Sequence, residues 1–168
     1  MKKYELTTNT KMRFGRKLFQ IKALVSFGNV TAGDLGGYIE KEENLSHDGT
    51  AWVYGDARVY GDARVYGNAR VYGDALVSGD ARVSGDARVS GDADYICFKG
   101  FGSENRNTTM LRTKNGDVYV CCGCFTGSLK KFTEKVKETH GNSKYAKEYL
   151  ACVEAAKIHF EIGEENDK

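Results

Sequence analysis

The stretch VYGDAR-VYGDAR-VYGNAR-VYGDAL-VSGDAR-VSGDAR-VSGDAD (Val53–Asp94) decides the fold. Seven six-residue units follow one another without a break, each with valine first and alanine fifth. An aliphatic and a small residue at this spacing are the pattern of a left-handed parallel β-helix, in which three units make one triangular coil. Eighteen residues then advance the chain by one strand spacing, about 4.8 Å. Valine fills the interior, and alanine sits where a larger side chain would strike the neighbouring wall. Gly-Asp or Gly-Asn turns each corner, because glycine and asparagine tolerate positive φ and aspartate bonds local backbone. A short fixed period of this kind marks a solenoid rather than a globular core.

Upstream the register continues in degraded form. Ile39, Leu45 and Ala51 fall six apart, in phase with Ala57, and Leu35 and Gly37 fall in phase with Val53 and Gly55. The β-helix is therefore expected over 35–94, with an N-terminal β cap over 1–34 and a small α+β domain over 95–168. In the cap, Lys11–Leu24 reads as a hairpin turning at Gly15-Arg16. After Asp94, Tyr95–Phe98, Thr108–Thr113 and Asp117–Cys122 read as strands, with Asn115-Gly116 as a hairpin turn. Two helices are expected, about Ser128–His140 and Ser143–Phe160, and the tail from Glu161 is expected to fray. Leu129, Phe132 and Val136 form the apolar side of the first, and Ala146, Tyr149, Leu150 and Val153 that of the second. The fold class is mainly β.

Composition narrows the function. The net charge of +2 and 40% hydrophobic residues argue against disorder and against a strong global field, so no nucleic-acid partner is expected. Charge is uneven, however: 1–34 carries +5, 35–94 carries −5 and 95–168 carries +2. No apolar run approaches the roughly 20 residues of a membrane span, and MKKYELTTNTK lacks the apolar stretch of a signal peptide. A cytoplasmic protein with reduced thiols is expected from its five cysteines, an odd number. Proline is absent, as suits a coil whose N–H groups bond neighbouring strands.

The outward second position holds tyrosine in four units and serine in three. Tyr54 and Tyr72, three units apart, are expected on one face, where Leu76 interrupts the arginines. These three are candidates for a homo-oligomer interface, dimeric or trimeric, although tyrosine and arginine also simply cover a β surface. Trp52, Arg70 and Arg88 share a column, which suits a cation–π stack. This scaffold is best known from acyltransferases, which need a base, usually histidine. Of His47, His140 and His159, His47 falls at a first position and reads as a substitute for valine, while His140 ends a helix, where a cation suits the dipole. No catalytic residue and no cofactor are assigned. Cys121, Cys122 and Cys124 lack the second paired knuckle of a zinc site, so no metal is assigned. Strand alternation puts Cys122 and Cys124 on one face. The best polar candidates are Asn105, Arg106 and Asn107 on a loop with Phe125, Thr126 and Ser128 entering a helix. Arginine, amides and a helix N-terminus together suit a small anionic ligand or an acidic side chain.

Three stretches resemble a known group of proteins. GDLGGYIEKEENLSHDGTAWVYGDARVYGDA (Gly33–Ala63) resembles hexapeptide-repeat proteins of bacteriophages and prophages, often labelled polymer-forming or hexapeptide-transferase-like. Gly102–Ala151, containing CGCF and ETHG, resembles the carboxy-terminal domain that accompanies such repeats, and KYELTTNTK fits the start. The resemblance implies a phage-encoded accessory protein of the bacterial cytoplasm. Such proteins act by binding, so the expected function is a non-catalytic modulator of a host bacterial protein, an anti-defence inhibitor or a sequesterer of a nucleotide signal. An acyltransferase-like enzyme and a structural, polymerising protein are the alternatives.

Overall fold

The computed structural model describes residues 1–113 and 115–162. The chain is mainly β and divides into two compact units, Met1–Asp92 and Ala93–Lys168.

The first unit opens with an antiparallel hairpin, β1 (Tyr4–Arg13) and β2 (Arg16–Ala23), followed by β3 (Leu35–Ile39). Seven two-residue strands come next: β4 (Trp52–Val53), β5 (Arg58–Val59), β6 (Arg64–Val65), β7 (Arg70–Val71), β8 (Leu76–Val77), β9 (Arg82–Val83) and β10 (Arg88–Val89). They pair in parallel every third unit, β4-β7-β10, β5-β8 and β6-β9, so the chain winds as a three-faced parallel β-solenoid. Every valine from Val53 to Val89 and every alanine from Ala51 to Ala87 at the inward positions is fully buried. Interior packing of branched aliphatic and small side chains in alternation is what closes each coil. At the corners, Gly55, Gly61, Gly67, Gly73, Gly79 and Gly85 have φ between 56° and 70°, a region closed to most other residues.

The hairpin is not separate from this stack. Strand β2 pairs antiparallel with β3, and β3 pairs in parallel with β5, giving one sheet β1-β2-β3-β5-β8. Its turn is Phe14-Gly15, enclosed by the Arg13↔Arg16 pair, one residue earlier than the sequence suggests.

The first coil also departs from the expected phase. Tyr38 pairs with Arg58, Ile39 with Val59 and Leu45 with Val65, each twenty residues apart rather than eighteen. Ile39 and Leu45 thus occupy valine positions, not alanine positions. Leu35, expected inside, is 60% exposed, and Gly37 takes the alanine place against Ala57. The two extra residues lie in the corner 46–50, since Trp52 returns to the normal spacing with Arg70. His47 belongs to that corner and does not replace a valine.

Outward side chains form ladders along the stack. Like charges stacked at strand spacing repel, and the chain relieves two aspartate columns at the hairpin end. Lys11 Nζ lies 2.5 Å from Asp56 and Lys41 Nζ 2.9 Å from Asp62, each holding its carboxyl below the usual range. Asn68 breaks the third column, its amide bonded to Thr50 Oγ1 at 2.9 Å.

In the second unit, β11 (Tyr95–Phe101), β12 (Arg106–Arg112), β13 (Val118–Cys122) and β14 (Phe125–Ser128) form an antiparallel sheet in that order. Two helices follow, α1 (Leu129–His140) and α2 (Lys144–His159), with N-caps Ser128 and Ser143. Met110, Val118, Val120 and Cys122 pack on Phe132, Val136, Ala146, Tyr149, Cys152 and Val153. Glu161 and Ile162 do not fray but donate N–H bonds to Ile158 and Lys157 carbonyls, at 3.2 and 2.9 Å. The rest of the tail, 163–168, lies outside the described residues.

Candidate functional site

The sheet of the second unit separates the residues expected to form one anion site. Phe125–Ser128 is a strand, so only Ser128 serves the helix, accepting the Lys131 N–H at 3.3 Å. Arg106 and Asn107 likewise belong to β12, leaving Asn105 alone in the turn, with φ 47°. Cross-strand register aligns Thr108, Cys122 and Phe125 on the helix-covered face, and Thr109, Cys121 and Thr126 on the opposite one. Alternation puts Arg106 with the first row and Asn107 with the second. The six residues therefore do not converge. The turn before β12 is also occupied, because Gly102 donates its N–H to Glu148 at 2.9 Å.

The cysteines divide in the same way. Cys122 points into the core, where the Thr108 hydroxyl lies 3.1 Å from its sulfur, while Cys124, expected on the same face, is exposed in the β13–β14 turn. Burial raises the Cys152 thiol to about 11 and Tyr149 to about 12. A thiol so placed stays protonated and unreactive near neutral pH. Among the described residues, no group of three or more His, Cys, Asp or Glu is placed to hold a metal ion.

On the solenoid, Tyr54 and Tyr72 end the face of β4, β7 and β10, with their N–H groups bonded to Val71 and Val89. Leu76 is in β8, on the neighbouring face, so a corner divides it from them. Trp52, Arg70 and Arg88 do share a column. The indole is fully buried, however, and its ring partners are Phe27 at 5.4 Å and Tyr4 at 6.1 Å.

Two places in the first unit carry less ordinary chemistry. One is the hairpin tip. Phe14 has φ 47° and is 74% exposed, and Met12, two residues earlier in β1, is 68% exposed. A bulky residue in left-handed backbone costs about 1–2 kcal/mol, and asparagine is the residue such turns favour. The Arg13 guanidinium lies 4.4 Å from the centre of the Phe14 ring. Arg16 is held by Glu40 at 2.8 Å, and Lys17 lies over Phe19 at 5.3 Å. The tip is an apolar pair in a cationic frame. Sequence reasoning passed over it because the turn was placed one residue late.

The other is the irregular corner. His47 stacks on Tyr4 at 4.4 Å, and its Nδ1 accepts the Lys3 backbone N–H at 3.2 Å. In the neutral ring the proton must then sit on Nε2, which faces Glu42 Oε2 at 3.8 Å. A general base needs a free lone pair toward its substrate. His47 offers a donor there instead.

Beside it, the Lys3 ammonium is buried and donates to Ala51 O at 2.9 Å. Burial, partly offset by Asp48, lowers its pKa to about 8 from 10.5. Between about pH 8 and 10 the unfolded chain therefore keeps a proton that the folded chain has released, and stability rises with pH. Tyr4, raised by burial, opposes this only above 10.0, where the unfolded phenol ionises. The melting temperature of wild type should climb relative to Lys3→Met between about pH 7.5 and 9.5. Parallel pH profiles would contradict this reading of Lys3.

Segments 51–67, 63–79, 69–84 and 81–93 match the YdcK beta solenoid repeat family, all within the regular coils. The match does not include the hairpin and ends at residue 93, where the second unit begins. No curated protein matches the chain. Among the described residues, no helix is long and apolar enough to cross a membrane.

Proposed function

We propose that the chain is a non-catalytic, phage-encoded accessory protein that binds and modulates a host bacterial protein in the host cytoplasm. In this reading the solenoid, wound left-handed, is a rigid mount capped by the hairpin, and the hairpin tip is the docking element. The phage origin and the inhibitory, anti-defence role rest on the resemblance of Gly33–Ala63 and Gly102–Ala151 to phage repeat proteins. The six-residue unit and its valine–alanine spacing support the left-handed winding.

One observation carries the binding role: Phe14 is held in unfavourable backbone with its ring in water. Strained, exposed aromatic residues neither help the fold nor bury surface, and strain of this kind clusters at recognition sites. Aromatic residues beside arginine are also the side chains that dominate binding energy when seated in a partner's pocket. Arg13 and Lys17 suit a pocket rimmed by acidic side chains. The occupied Nδ1 of His47 supports a binding role over acyl transfer.

The test is capture of host proteins on immobilised wild type and on Phe14→Asn, followed by titration of the recovered partner. Losing a central aromatic anchor typically costs 2 kcal/mol or more, so affinity should fall by roughly thirtyfold. Equal affinity of the variant would reject the tip as the docking element. A loss of self-association instead of partner binding would make a second copy the occupant.

A further inference from the structure

A groove of about 630 Å³ opens on the face of β6 and β9, beneath the irregular corner. Its volume is within the range of small-molecule sites, roughly 300–1,000 Å³. We propose that this groove binds a neutral saccharide, with a C–H face of one sugar ring against Tyr66 and its hydroxyls on Glu43 and Arg64.

The opening follows from the column in which Tyr66 stands. Its N–H bonds Val83 O, and the N–H of Ser46 bonds Val65 O in the same way one coil earlier. Tyr66 therefore follows a serine in its column, whereas Tyr72 follows Tyr54, whose N–H bonds Val71 O. A hydroxymethyl leaves room beside the ring that a second phenol would fill, and Ser46 and Tyr66 both line the groove. Among the described residues no aromatic ring or cation is stacked on Tyr66. The negative face of an aromatic ring attracts the weakly positive C–H groups that a sugar ring presents.

The charges of the lining point to a neutral ligand. Glu42 is held by Lys2 Nζ at 2.7 Å, and Arg82 has a partner of its own. The charged groups left to a ligand are Glu43 and Arg64, one of each sign and both exposed. An anion would be repelled by the first and a cation by the second. A hydroxyl suits both, since it donates to a carboxylate and accepts from a guanidinium, and bonds to charged partners are the stronger ones. An amino acid also carries both signs, but at one fixed separation. The several hydroxyls of a sugar impose no such spacing. This site is separate from the hairpin tip and does not depend on its role.

The repeat supplies its own conservative variant. Serine stands at the same position in three units, as Ser78, Ser84 and Ser90, so Tyr66→Ser should keep the fold. Saturation-transfer NMR of the full chain with cellobiose and maltose should show saturable binding of at least one of them, with transfer strongest to the ring C–H protons. Glycerol, which has hydroxyls but no ring, should show none at the same concentration, and neither should glycine. Tyr66→Ser should weaken the bound sugar by at least about tenfold. Tyr66→Phe, which keeps the ring, should retain it, and Tyr72→Ser on another face should leave it unchanged. If Tyr66→Ser melts below wild type, Arg64→Gln replaces it, and sugar affinity should still fall. Failure of both disaccharides to bind at millimolar concentration overturns the proposal. So does equal weakening by Tyr66→Ser and Tyr72→Ser. Markedly tighter binding of glucuronate or glucosamine than of glucose would also overturn it, by assigning the groove to a charged ligand.

Discussion

Replacing Asn44 with leucine should destabilise the first unit by about 4 kcal/mol, because one buried amide stands in for a missing rung of the ladder. In the regular coils each fifth-position carbonyl accepts a backbone N–H from the coil before, as Ala69 does from Trp52 and Ala75 from Arg58. At Ala63 the donor should be residue 44, but its N–H is turned to Lys41 O within a 3₁₀ turn, Glu42–Asn44. The Asn44 side chain takes its place, donating to Ala63 O at 2.8 Å and Gly61 O at 3.1 Å. Its oxygen accepts from Lys41 and Glu40 at 3.0 and 3.2 Å. Glu40 has a second partner in Val59 O, so leucine would take this partner from three groups outright: Ala63 O, which is buried, and Gly61 O and the Lys41 N–H, which are half-buried. Each orphan costs roughly 1–3 kcal/mol. For a unit of this size that lowers the melting temperature by roughly 15 °C or more. Fluorescence of Trp52, the single tryptophan, would report it. A shift of a few degrees would mean that water enters and replaces the amide.

Gly37→Ala should be nearly as severe, at about 3 kcal/mol or more. A Cβ there would lie 2.6 Å from Ala57 O and 2.7 Å from Val53 Cγ1. The first obstacle is backbone of the next coil, which moves only if the β3–β5 pairing moves with it. Overpacking of cores typically costs 1–3 kcal/mol even where side chains can yield. Gly55→Ala is the comparison: it meets nothing within 4 Å and carries only the backbone strain of φ 56°. Calorimetric unfolding should place Gly37→Ala well below Gly55→Ala, and the reverse order would show that the first coil is looser than described.

The regular coils were legible because seven near-identical units repeat both the inward valine and the inward alanine, so a single phase explains all of them. The first coil was not. Two extra residues in 46–50 shift Ile39 and Leu45 by two places, and a six-residue count carried upstream from Ala57 cannot register an insertion inside a corner. Asn44 was invisible for the same reason, since its role depends on which carbonyl lacks a donor. In the second unit, local pattern placed both helices to within one residue at each end. It missed β14, because Phe125-Thr-Gly-Ser reads as a turn and cap until β13 supplies its partner. The expected anion site differs on that point: Arg106 and Asn107 read as loop and Phe125 and Thr126 as a helix entry, whereas both pairs lie in strands, whose alternation sends neighbours to opposite faces. At the hairpin the expected elements are present. A one-residue error in the turn hid Phe14 behind Gly15, and with it the chief sign of recognition.

That sign is open to a simple measurement, the melting temperature of Phe14→Asn beside wild type. Relief of left-handed strain is worth about 1–2 kcal/mol, and loss of the exposed Arg13–ring contact removes about 0.5–1 kcal/mol. The balance favours the variant by about 1 kcal/mol, a rise of roughly 4–8 °C. An increase of that order would show that the ring is kept at the expense of the fold, as the docking role requires. A fall would show that Phe14 serves the hairpin itself, and would contradict the account.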